Sequence, residues 1–133
     1  MTHSARALER FPIHLGLGAK AIPQPEFTGA DWYQDYAARV ADDSAEGRLV
    51  SLHSFTSDWP SWESHPLGEE VVICLAGEIT LIQELDEGRF HSEALGPGEY
   101  LVNPAGVWHT ADVPVSATVL FITPGAGTQN RAR

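Results

Sequence analysis

Disulfides, membrane spans and basic patches are all missing from this chain of 133 residues. The lone cysteine, Cys74, has no partner for an internal disulfide, so a disulfide framework is excluded and a reducing cytoplasm is the expected compartment. No segment approaches the roughly 20 apolar residues that a membrane span needs, and the opening MTHSARALER lacks an apolar stretch of signal-peptide length. Eight bases stand against eighteen acids, a net charge of -10, and no basic run occurs anywhere. Such a chain repels phosphate backbones and anionic membrane surfaces, which excludes nucleic acid and membranes as expected partners. Internal repeats and low-complexity segments are absent too, and no DNA-binding segment is fused to the chain.

What the chain does have is 43% apolar side chains, enough for one core in a chain too short for two. Residues 11–27 mix apolar residues with Gly16, Gly18, Pro23 and Pro25, too broken for a helix but suited to an extended arm lying on its own fold or a neighbour's. Residues 30–40 are the best helix candidate. Trp32, Tyr36 and Val40 recur every fourth residue as one apolar stripe, with Asp31 and Arg39 placed to suit the helix dipole. The acidic ADDSAEG that follows reads as a loop.

From Arg48 the pattern changes to short strands separated by turns. RLVSLHSF, WESH, EVVICLA, EITLIQEL, RFHSEAL, EYLVN, VWHTADV and SATVLFITP are divided by Gly, Pro and Asp clusters every eight to twelve residues. EVVICLA is apolar throughout, as expected of a strand covered on both faces. By strand parity Val72 and Cys74 should point inward with Glu70, while Val71, Ile73 and Leu75 pack the other face. The expected class is all-β, a sandwich or barrel. The organisation expected is an arm and short helix over 1–47 packing on a barrel of 48–124, with a flexible tail over 125–133.

Two segments carry ligand-type side chains. Glu63 and His65 leave the same face of an extended strand, about 7 Å apart at their Cα atoms. Pro66-Leu67-Gly68 is turn chemistry that can fold the chain back and bring Glu70 opposite the imidazole. In the second segment, GPGEYLVNPAGVWHT, Gly98, Pro104 and Gly106 punctuate an apolar strand and deliver His109 just past a tight turn. Imidazole and carboxylate both suit divalent first-row metals, and two of each leave the site neutral around an M²⁺ ion. His53, on a preceding strand, is a weaker fifth candidate. A core or rim role explains it better. Trp59, Trp62 and Trp108 adjoin these segments and either frame an apolar mouth or fill core. Cys74 is either a pocket wall or an inert buried thiol.

These segments resemble the paired signatures of the cupin superfamily. The first signature is Gly, five residues, His-x-His, three or four residues, Glu, six residues, Gly, and its second half is matched by His65, Glu70 and Gly77. The second is Gly, five residues, Pro-x-Gly, two residues, His, three residues, Asn, and it is matched by Gly98, Pro104, Gly106 and His109. The chain departs where Ser57 replaces the leading Gly, Glu63 the leading His and Val113 the closing Asn. Glu63 is therefore either a ligand or the mark of a site whose role has changed. The resemblance covers about residues 48 to 123 and implies a double-stranded β-helix, or jelly-roll barrel. It implies a divalent metal (Fe, Zn, Mn or Ni) held by Glu63, His65, Glu70 and His109, and pairing into a homodimer.

The leading expectation is a metal-dependent enzyme acting on a small oxygenated organic molecule by dioxygenation, isomerisation or decarboxylation. The alternative is a non-catalytic small-molecule binding or sensing module, and a third is a barrel whose metal is structural only.

Overall fold

The computed structural model describes residues 4–133. Among the described residues eleven strands form two antiparallel sheets, and the fold is an all-β jelly-roll sandwich. In chain order the strands are β1 (Ile13–Gly16), β2 (Lys20–Pro23), β3 (Arg48–Phe55), β4 (Ser61–Ser64), β5 (Glu70–Gly77) and β6 (Ile79–Asp86). They continue with β7 (Arg89–Leu95), β8 (Tyr100–Asn103), β9 (Trp108–Asp112), β10 (Ala117–Pro124) and β11 (Gln129–Ala132). One sheet runs β2-β1-β3-β10-β5-β8 and the other β11-β4-β9-β6-β7. The core lies between them, built from inward residues of both, among them Val72, Cys74, Ile79, Leu81, Val119 and Phe121. No helix among the described residues is long and apolar enough to cross a membrane.

The helix forms where the stripe places it, as α1 (Trp32–Arg39), with Asp31 at its N-cap position and Arg39 in its last turn. Trp32, Tyr36 and Val40 are buried with Leu49 in a second, smaller core that docks α1 on the six-stranded sheet.

Four expectations are revised. Residues 11–27 are not merely extended, because β1 and β2 form a hairpin and β1 pairs with β3 of the chain's own sheet. The acidic stretch Ala41–Glu46 is a pair of 3-10 turns kinked at Ser44, φ 46°. The tail expected to be flexible instead contributes β11, paired with β4 from Gln129↔Ser64 to Ala132↔Ser61. β5 is covered on one face only. Val72 and Cys74 are fully buried as parity requires, but Val71 and Ile73 are half-buried and Leu75 is exposed.

Candidate metal centre

Glu63 lies on β4 directly opposite His109 on β9, a cross-strand pair whose side chains point between the sheets. His65 stands one residue past β4, where the Pro66-Leu67-Gly68 turn begins. Its carbonyl accepts from the N–H groups of Gly68 (3.4 Å) and Gly106 (3.1 Å), which ties the two ligand-bearing segments together. Glu70 opens β5 in the facing sheet. His109 follows a turn closed by the Val107 N–H on the Pro104 carbonyl, with Gly106 at φ 79° supplying the left-handed conformation.

The four side chains of the two segments meet. Glu70 Oε2 is 3.3 Å from His65 Nε2 and Glu70 Oε1 is 3.2 Å from His109 Nε2. Glu63 Oε2 is 3.9 Å from both Nε2 atoms, and the imidazole centroids are 5.1 Å apart. Glu63, His65 and His109 each present a donor atom within 4.8 Å of the others, a grouping that could hold a metal ion. Two donors on one ion cannot stand farther apart than about 4.2 Å, twice the usual metal–ligand length, and all four carboxylate–imidazole separations satisfy that limit.

The chemistry of the donors fits a cation as well. Both Nε2 atoms are buried and lack a hydrogen-bond partner, because their approach to Glu70 is too poorly aligned to be one. His109 Nδ1 contacts the Val107 carbonyl at 3.3 Å, so the proton sits on Nδ1 and the Nε2 lone pair faces the cluster. His65 Nδ1 is held by Thr128 Oγ1 at 2.9 Å, which aims its Nε2 the same way.

Glu70 is fixed from both sides. Thr123 Oγ1 donates to Oε2 at 2.7 Å, and Asn103 Nδ2 donates to Oε1 at 3.0 Å. Gln83 in turn donates to Asn103 Oδ1 at 2.8 Å. Burial works to raise the Glu70 pKa, but His109 and His65 outweigh it and hold the carboxyl well below the usual range. Glu63 goes the other way, pushed up by burial and then by the Glu70 charge. Burial works to lower the His109 pKa, yet the Glu70 carboxylate raises it on balance.

A cavity of about 820 Å³ is lined in part by Glu63, His65 and Glu70 of this cluster. His53 lines it without joining the donor group. Its ring packs on Phe27 at 5.2 Å, and burial lowers its pKa. Trp59 also lines the cavity, whereas Trp62 and Trp108 stack instead on the Arg131 guanidinium at 5.3 and 4.6 Å. Cys74 is core, with burial raising its thiol pKa, and is not a pocket wall. Tyr33 of α1 lines the cavity too, and its hydroxyl is pushed up to about 12 by partial burial and then by the Glu63 and Glu70 charges.

Sequence reasoning missed Thr128, Thr123, Asn103 and Gln83. Parity along β8 could have flagged Asn103, an inward amide two residues from Leu101. Nothing local marked Thr128, whose partner lies 63 residues away.

The jelly-roll sandwich is matched by solved structures. A cupin-2 domain protein from Shewanella frigidimarina superposes with a TM-score of 0.50 at 22% identity, over 58% of this chain and 70% of that one. The chain has the cupin fold. Hydroquinone 1,2-dioxygenase from Sphingomonas sp. TTNP3, solved with 4-hydroxybenzoate bound, matches with a TM-score of 0.50 at 15% identity, over 58% of this chain and 59% of the dioxygenase. No family model matches the sequence, and no curated protein matches it. The cupin fold is thus legible in three dimensions, and in the sequence only two short segments resemble the cupin signatures.

Proposed function

We propose that Glu63, His65, Glu70 and His109 hold a divalent first-row metal ion, and that the protein is a metal-dependent enzyme acting on a small oxygenated organic molecule. The observation that carries this reading is the pair of buried, unpartnered Nε2 atoms, His65 and His109, facing two carboxylates that line a cavity. The bound ion would supply Lewis acidity or, if iron, dioxygen chemistry. Thr128 and the Val107 carbonyl set the imidazole orientations, Thr123 and Asn103 hold Glu70 in place, and His109 and His65 keep it ionised. Two carboxylates neutralise the ion's charge, which strengthens its retention and weakens its pull on substrate electrons relative to a three-His, one-Glu set.

Iron, zinc, manganese and nickel all suit these donors, and the fold does not choose among dioxygenase, isomerase and decarboxylase chemistry. Elemental analysis of purified protein, paired with oxygen uptake over a panel of catechols and diketones, tests the reading. About one ion per chain is expected, lost in His65→Ala and His109→Ala. Metal-free protein that stays metal-free on titration overturns it.

Glu63 in the place of the family's leading His favours a second reading, a non-catalytic binding module with a structural metal. A large drop in Tm on chelation with no turnover across the panel supports that alternative.

The partner assigned to the outer face of the six-stranded sheet is a second copy of the chain. Val50 and Leu52 of β3, Leu120 and Ile122 of β10, and Val71 and Ile73 of β5 adjoin one another across the strands there, none of them fully buried. With a buried unpaired thiol, we place this homodimer in a reducing compartment, the cytoplasm.

A further inference from the structure

Among the described residues, four buried side-chain nitrogens lack a hydrogen-bond partner: His53 Nε2, Trp59 Nε1, His65 Nε2 and His109 Nε2. Buried polar atoms are nearly always paired, so each exception asks for a partner supplied from outside the chain. The metal proposed above accounts for two of them. The other two belong to residues that line the same cavity.

They also belong to one wall. The Trp59 ring centroid is 6.4 Å from that of His109 and 6.0 Å from that of Phe121, and Phe121 is 6.0 Å from His53. Phe55 packs on both, 5.5 Å from Trp59 and 6.3 Å from His53, and Phe27 continues the wall 5.2 Å beyond His53. Aromatic rings therefore run without a break from the metal donors along the cavity. Such a surface attracts another ring more strongly than its area alone would, because edge and face carry opposite partial charge. The two unpaired nitrogens then set the polar requirement. Trp59 Nε1 can only donate, and so asks for an oxygen. Burial holds His53 in its neutral form, which offers one donor and one acceptor and so suits a hydroxyl. Water does not reach either atom, so a ligand must press against the rings and meet them through small ring rotations.

We infer that the cavity binds a small planar aromatic molecule carrying one oxygen substituent toward the metal donors and a second, hydroxyl-type oxygen against the His53–Trp59 wall. This substrate class rests on the reading of the site as a metal-dependent one, and narrows it from any oxygenated molecule to an oxygenated arene. Phe55 and Phe121 hold the ring. His53 and Trp59 are specificity determinants that reward the second oxygen, and they are not metal ligands.

Three neutral probes separate these contributions without being repelled by Glu63 and Glu70: cyclohexylmethanol, benzyl alcohol and para-hydroxybenzyl alcohol. Binding is followed by ligand-observed NMR on the full chain, with and without zinc. Benzyl alcohol is expected to bind about tenfold more tightly than cyclohexylmethanol, from ring stacking. The phenolic hydroxyl should add up to about another tenfold. His53→Phe, which keeps a ring in the wall, should abolish the second gain and leave the first. The wild-type series stands whether or not that variant folds. Equal binding of the saturated and aromatic alcohols, or no gain from the second hydroxyl, overturns the inference. Zinc titration of the same samples keeps the two readings apart. Normal zinc uptake without ring preference sinks this inference alone, and ring preference without zinc uptake supports it and sinks the metal reading alone.

Discussion

Gly77 ends β5 at φ 73°, and a Cβ built there would stand 2.0 Å from the Ser116 carbonyl oxygen. Two separate costs follow from one methyl group. The left-handed conformation alone costs about 1–2 kcal/mol for a non-glycine residue, and the backbone contact forces the β9–β10 connection to move as well. Gly106 has a similar φ of 79°, yet nothing lies within 4 Å of its added Cβ. Gly77→Ala is therefore expected to lower the urea midpoint markedly more than Gly106→Ala, which should lose only the conformational part. Equal losses would show that strain alone governs both turns. Thr128 makes a different kind of prediction, because it touches His65 and neither carboxylate. Thr128→Val keeps the shape and removes the oxygen on His65 Nδ1, so zinc affinity measured by calorimetry should fall about 10–100-fold, while the metal-free protein loses only the stability of one part-buried hydrogen bond. His65, Glu70 and His109 were legible because spacing within a few residues of a turn places them, and Glu63 because strand parity does. Thr128, Thr123 and Asn103 were not, since each reaches the site only after distant strands have paired.

Elements rather than residues explain why α1 stays on the sheet. His14 on β1 is fully buried, with Tyr36 of α1 at 2.7 Å from Nδ1 and Asp43 of the 3-10 turn at 2.6 Å from Nε2. Asp43 can only accept, so Nε2 donates to it, and Nδ1 is paired with the Tyr36 hydroxyl. One imidazole thus clamps three elements. Tyr36→Phe keeps the ring stacked on Trp32 but leaves the buried Nδ1 without a hydrogen-bond partner, and chemical denaturation should show a loss of about 1–3 kcal/mol. A loss near zero would mean the clamp is closed by something other than that bond. The same clamp gives acid sensitivity. The His14 hydrogen bond, against an opposing effect of burial and with help from the Leu17 amide, depresses the Asp43 pKa. A depressed carboxylate stabilises the fold at pH values above its ordinary pKa, and that stabilisation is lost as the pH falls through the lower folded-state value. Circular dichroism at descending pH should therefore show unfolding that begins in the low carboxylate range, and Asp43→Asn should make the profile flatter. Helix α1 was legible from its stripe of Trp32, Tyr36 and Val40, since that period is local. The β1–β2 hairpin and β11 were not. Their pairing to β3 and β4 joins residues tens of positions apart, and the Gly-rich and polar composition that signals flexibility is also what an exposed edge strand tolerates.

At the scale of the whole molecule, charge and apolar surface pull in opposite directions. The net charge of -10 keeps copies of the chain apart, so an association must use a face where no charge has to be desolvated. The centre of the outer face of the six-stranded sheet is such a place. Its cross-strand neighbours run Val50↔Ile122↔Val71↔Val102 in one row and Leu52↔Leu120↔Ile73↔Tyr100 in the next. Tyr100 is 66% exposed and Val102 is 36% exposed, so the patch reaches the free edge at β8. The uninterrupted apolar run of β5 suggested a strand covered on both faces, and only the inner face is covered within one chain. A second copy placing the same rows against these would complete the cover in a self-complementary, two-fold arrangement. Sedimentation equilibrium should then give a dimer whose affinity rises with added salt, as screening relieves the repulsion of two acidic chains. Ile73→Glu puts a charge at the middle of the patch on the side facing away from the core, and it should yield a folded monomer that still binds zinc. A wild-type monomer at all salt concentrations, or an Ile73→Glu protein that remains dimeric, would remove this face as the interface while leaving the metal centre, on the opposite side of β5, untouched.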